Sequence, residues 1–123
     1  MKLFIVLGAI NALIGVGLGA FGAHGLEGKL STKMLEVWKT GVTYQMFHAL
    51  GLLVIGLLVG KYENVASFTW AGWLMFIGIV LFSGSLYALS TTGIKFFGPI
   101  TPLGGVAFLI AWLMVIIGAV KYL

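Results

Sequence analysis

No cysteine occurs in the 123 residues, which excludes disulfides, thiol chemistry and thiolate metal sites. Arginine is absent as well, so every basic residue is a lysine. The net charge of +4 is therefore spread over scattered ammonium groups, with no guanidinium to fork onto phosphate or guanine. Nucleic acid is not a partner on that pattern. Aspartate is missing, and the glutamates are only Glu27, Glu36 and Glu63. Charge of either sign is scarce, at 8% of residues, where a soluble domain carries about 25%. So few charges cannot cover a water-facing surface, and the surface must face lipid.

What is present is apolar, at 61% of the chain. The ten charged residues are Lys2, Glu27, Lys29, Lys33, Glu36, Lys39, Lys61, Glu63, Lys95 and Lys121. Between them lie four charge-free stretches, 3–26, 40–60, 64–94 and 96–120. Crossing a hydrocarbon core of about 30 Å takes roughly 20 apolar residues. Each stretch is long enough for one span, and none for two. The expectation is an all-α, integral membrane four-transmembrane-helix bundle forming a single domain over 1–123, with spans near 3–22, 42–60, 67–89 and 103–120. Lys2 before an apolar run, followed by Ala20-Phe21-Gly22, also resembles a cleavable leader. The length of the run, Asn11 and a row of glycines suit a retained span better. Lysines at the span ends read as interfacial anchors, three on one side and four on the other, which leaves the orientation open.

Between the first two spans, residues 29–43 alternate with helical period. Leu30, Met34, Val37, Trp38 and Gly41 share one face, and Lys29, Lys33, Glu36 and Thr40 the other. This predicts an amphipathic helix leading into the second span, with Ser31 as its N-cap. Taken alone, the segment could also act as a membrane-surface sensor. Ser90 to Thr101 reads as a glycine-rich polar loop, and Thr101-Pro102 as an N-cap followed by proline in the first helical position.

Two constellations stand out. Gly8, Ala12, Gly15, Gly19 and Gly22 form a small-residue stripe on the first span, with Asn11 at its edge. Small residues let helices approach closely in lipid, either inside one bundle or between copies. The second constellation is polar. If the amphipathic helix continues into the second span, Trp38, Gly41, Gln45 and His48 fall on one stripe at spacings of 3, 4 and 3. Lipid offers Gln45 and His48 no hydrogen bonds, so they should face inward. Tyr44 stands one turn before His48, Ser83, Tyr87 and Ser90 share a stripe of the third span, and His24 closes the first span. The topology brings all of them to one side of the membrane. A cluster of His24, Tyr44, Gln45, His48, Ser83 and Tyr87 is the expectation, read either as an interhelical hydrogen-bond network that fixes the fold or as a polar pocket.

Two histidines without an intramembrane carboxylate are short of the three or four ligands of a metal site, and of the Asp or Glu that proton relays employ. No cofactor is expected. No serine has an activating histidine–carboxylate pair and no glycine-rich phosphate loop follows a strand, which argues against an enzyme. Three readings remain: association as a homo-oligomer or with a membrane-protein partner, capture of a lipid or small amphipathic molecule in the polar pocket, and, more remotely, proton, ion or metal transport.

Several runs carry a resemblance. They are Gly19-Ala20-Phe21-Gly22-Ala23-His24-Gly25-Leu26, Trp38, Tyr44-Gln45 with His48-Ala49, Phe82-Ser83-Gly84-Ser85-Leu86-Tyr87, and Gly98-Pro99-Ile100-Thr101-Pro102-Leu103-Gly104-Gly105. In this order they resemble the small membrane proteins of domain of unknown function 423 along essentially the whole chain. The resemblance implies a multi-pass protein of the bacterial cell membrane and no established activity.

Overall fold

The computed structural model describes residues 2–123. Its helices are α1 (Lys2–His24), α2 (Thr32–Lys61), α3 (Ala66–Gly78), α4 (Gly84–Thr92) and α5 (Ile100–Tyr122). One π-helical turn, Ile79–Ser83, joins α3 to α4, so Ala66–Thr92 is a single rod. Four helical segments are thus long and apolar enough to cross a membrane. Their outward faces carry Leu13, Val16, Leu57, Trp70, Leu109 and Val120, each more than 60% exposed. Such a surface is stable in lipid, and the protein is an integral membrane helix bundle.

The spans run slightly longer than the apolar count suggested, because lysines and hydroxyl residues carry the helices past the hydrocarbon. The amphipathic segment is corrected in two respects. It starts at Thr32 rather than residue 29, after the left-handed turn at Gly28 (φ 81°), and it runs on into the second span as one helix to Lys61 rather than ending near residue 43. Ser31 caps it, its Oγ accepting from the Met34 N–H at 3.1 Å. The first turns of α2 then continue without interruption into the span. From Lys39 to Lys61 the helix rises about 33 Å at 1.5 Å per residue, enough to cross the hydrocarbon.

The second half differs from the sequence expectation at the 90–101 loop. α4 extends through Thr92 and stops at Gly93, whose φ of 70° and N–H bond to the Leu89 carbonyl close the helix. A 3-10 turn at Lys95–Phe97 leads into α5, which begins at Ile100. Thr101 is therefore inside the helix and not its cap. Its hydroxyl lies 2.6 Å from that of Ser85, tying α5 to α4. Pro102 sits in the first turn, where its missing N–H costs nothing.

The chain folds back and forth with α1 on α2, α2 on α3 and α4, and α3 on α5. Leu52, Ile55, Ala71, Met75, Phe108 and Ala111 fill the centre. Glycines set the spacing. The α1 stripe lies along α2 in antiparallel register, Gly8 against Ala49 and Leu52, Gly15 against Met46, Gly19 against Val42 and Gly22 against Trp38. Ala12 is half-buried and Asn11 buried. Gly41 faces Tyr87, Gly72 faces the Phe4 ring, Gly78 faces Phe108 and Gly118 faces Phe68. Each aromatic fills the space that an absent Cβ leaves. The stripe on α1 is thus used within one copy of the chain.

Candidate functional site

α2 buries Trp38, Gly41, Gln45, His48, Leu52 and Ile55 at alternating steps of three and four residues. Each step of three turns the side chain back by about 60°. Gln45 and His48 therefore enter different seams. Gln45 turns toward α1 and α4: its Nε2 donates to the Asn11 carbonyl at 3.1 Å, and its Oε1 accepts from the Tyr87 hydroxyl at 2.6 Å. Around it, the Ser83 hydroxyl donates to the Gly41 carbonyl at 2.7 Å, and Trp38 Nε1 donates to the Leu18 carbonyl at 3.0 Å. Ser90 returns its hydroxyl to the Tyr87 carbonyl. Among the described residues no buried side-chain nitrogen or oxygen is left without a partner. This network joins three helices and offers no free group to a ligand.

His48 turns the other way, toward α5. Its Nε2 receives the Trp112 Nε1–H at 3.0 Å, and its Nδ1 lies 2.8 Å from the Tyr44 carbonyl. The ring stacks on Phe108 with centroids 3.6 Å apart and planes 8° from parallel. His48 stands nine residues beyond Lys39, about 14 Å along the axis and near the bilayer centre. Tyr44 lies one turn shallower on the same side, 42% exposed, its ring 4.5 Å from that of Phe82.

The expected single pocket is thus corrected to two sites. Gln45, Ser83 and Tyr87 come together on the α1–α4 side. Tyr44 and His48 come together on the α5 side. His24 joins neither, because α1 ends there and its side chain is exposed. Among the described residues no three of His, Asp and Glu converge in a way that could hold a metal.

Tyr44 and His48 border a lateral groove between α2 and α5 of about 670 Å³. The two helices meet there mainly through side chains. Phe47, Phe82, Phe108 and Trp112 supply further rings, and Thr43, Pro102, Gly105, Val106 and Leu109 complete the lining. Phe47, Val106 and Leu109 are more than half exposed, so the groove opens sideways into lipid. Sequence reasoning missed Trp112 and Phe108, which sit in an apolar run that reads only as span. It also missed the π turn. That turn inserts one residue into the rod, aiming Phe82 at the groove while Ser83 remains against Gly41.

A four-span integral membrane protein with a closed polar core and an aromatic groove facing lipid is the class that this geometry defines. Residues 18–105 match a family model described as a protein of unknown function, DUF423, and the chain belongs to that family. It is 67% identical to the UPF0382 membrane protein YwdK of Bacillus subtilis (strain 168) over 123 residues, 100% of both chains. It is 57% identical over 122 residues to the UPF0382 membrane protein SERP0230 of Staphylococcus epidermidis, covering 99% of this chain and 98% of that one. It is 58% identical over 121 residues to the UPF0382 membrane protein SSP2132 of Staphylococcus saprophyticus, covering 98% and 99%. No solved structure matches significantly.

Proposed function

We propose that this protein is a non-enzymatic component of the bacterial cell membrane that holds a small amphipathic, lipid-soluble molecule in the groove between α2 and α5. The observation that carries this reading is the groove itself, a concavity of about 670 Å³ whose open side faces the bilayer. Its volume lies within the range of small-molecule sites. It runs from Pro102 in the first turn of α5 to Trp112, about 15 Å deeper along that helix. A molecule with a polar end near the surface and an apolar tail toward the midplane matches that run.

The association reading loses the feature on which it rested, since the glycine stripe is occupied by α2. The transport reading has no support in the polar core, where no buried side-chain nitrogen or oxygen among the described residues lacks a partner.

Native mass spectrometry of the protein released from a mild detergent tests the proposal. A retained lipid-sized molecule, lost when Gly105→Leu fills the groove wall, is the expected result. Gly105 suits the purpose because a Cβ built there meets only Phe82 Cδ2, at 3.9 Å. Bare protein in mild detergent, or retention indifferent to Gly105→Leu, defeats the reading.

A further inference from the structure

Six of the eleven residues lining the groove carry aromatic rings, where a site for a saturated acyl chain needs none. Resting on the groove reading above, we propose that the molecule is a lipid-soluble quinone, or a flat conjugated ring of the same chemistry, whose carbonyl accepts a hydrogen bond from Tyr44.

The polar atoms of the lining reduce to one free donor. Both nitrogens of His48 are committed, one to Trp112 and one to the Tyr44 carbonyl. Trp112 spends its N–H on His48. Thr43 returns its hydroxyl to the Lys39 carbonyl. The Tyr44 hydroxyl has no hydrogen-bond partner among the described residues, and Tyr44 is one of the residues that line the groove. A hydroxyl in an apolar setting favours a ligand that accepts a hydrogen bond. An electron-poor ring among electron-rich aromatic side chains gains further from offset or edge contacts.

Depth orders the molecule. Tyr44 stands five residues beyond Lys39, about 8 Å into the membrane. Trp112 and Leu109 continue the groove inward. The ring therefore lies at the level of Tyr44, and an isoprenoid or alkyl tail runs past Trp112 toward the midplane. A phospholipid would place a charged phosphate at the shallow end, and the groove lining contains no lysine to meet it.

Decyl-tailed 1,4-benzoquinone is the probe, added to the full chain in phosphatidylglycerol nanodiscs. A bound quinone quenches a neighbouring tryptophan, and Trp112 is the one that lines the groove. Replacing the lipid-facing Trp70 and Trp73 by phenylalanine removes the two tryptophans most open to free quinone in the bilayer. The expected result is saturable quenching, abolished by Gly105→Leu or by Val106→Phe on the outer wall. Tyr44→Phe, which keeps the ring and removes the hydroxyl, weakens it about threefold to tenfold, the worth of one neutral hydrogen bond. Using two blocking variants guards against one that fails to fold. Quenching that rises linearly with quinone, or that ignores Tyr44→Phe, overturns the quinone assignment. If groove-dependent phospholipid retention persists in that case, the broader binding function survives. Loss of both signals in the parent protein defeats the two readings together.

Discussion

The Trp112 indole N–H points at Nε2 of His48 from 3.0 Å, and that contact defines the state of the imidazole. A nitrogen that accepts an N–H must present its lone pair. The proton therefore resides on Nδ1, which donates it to the Tyr44 carbonyl at 2.8 Å. His48 is a neutral ring with both nitrogens engaged, stacked on Phe108. It joins α2 to α5 at the inner end of the groove, so a metal ion or a relayed proton would have to displace an existing bond.

Nitrogen NMR of the protein in nanodiscs is expected to show His48 protonated on Nδ1 and bare on Nε2. Trp112→Phe removes the donor, leaves the lone pair unpaired in an apolar seam, and should cost about 1–2 kcal/mol of stability. An Nε2–H pattern in the parent protein would contradict the assignment.

Two adjacent glycines on α5 should behave oppositely. A Cβ on Gly104 would collide with the Phe82 backbone, held in the π turn, which cannot step aside as a side-chain tip could. A Cβ on Gly105 meets only ordinary contact at 3.9 Å. Gly104→Ala is expected to lower stability by about 1–3 kcal/mol through overpacking. Gly105→Ala should be neutral or slightly stabilising, since alanine is the better helix former. Thermal melts of the two variants side by side decide this.

The Gln45–Tyr87 hydrogen bond links residues 42 positions apart and closes α4 onto α2. Tyr87→Phe and Gln45→Leu each leave a polar partner facing an apolar one, while the double change leaves neither. A double-mutant cycle should therefore show positive coupling of about 0.6 kcal/mol, the average for interhelical bonds in lipid, and at most about 1.7 kcal/mol. Additive losses would mean that the bond contributes no stability.

The spacing of Trp38, Gly41, Gln45 and His48 was sufficient to bury all four, because the seam of a helix pair repeats every three to four residues. It could not say which neighbour each would meet, because a 60° step within the stripe separates two seams. His24 was misplaced because it stands where α1 ends, and helical period says nothing beyond a terminus. Thr101-Pro102 carried the signature of a helix start, yet the 3-10 turn at Lys95–Phe97 began the helical path earlier. The π turn has no marker at all, since Ile79-Val80-Leu81-Phe82-Ser83 suits an α-helix equally well. It is a slip of hydrogen bonds that tertiary packing decides, with Phe82 facing α5 and Ser83 facing Gly41.

The glycine stripe of α1 separates packing within the chain from packing between chains. A Cβ on Gly8 would stand 2.8 Å from the Ala49 carbonyl, so Gly8→Ala must push α1 away from α2. A Cβ on Gly17 meets nothing within 4 Å, since that residue points away from the stripe. Gly8→Ala should destabilise the fold by about 1–3 kcal/mol, while Gly17→Ala should leave it unchanged or slightly firmer. Neither should alter the subunit number, read by native mass spectrometry alongside the melts. A stripe that served assembly would respond differently: Gly8→Ala would release subunits while each kept its own melting behaviour. The close approach of Gly8 to the α2 backbone sets the expected outcome, a weaker fold at unchanged subunit number.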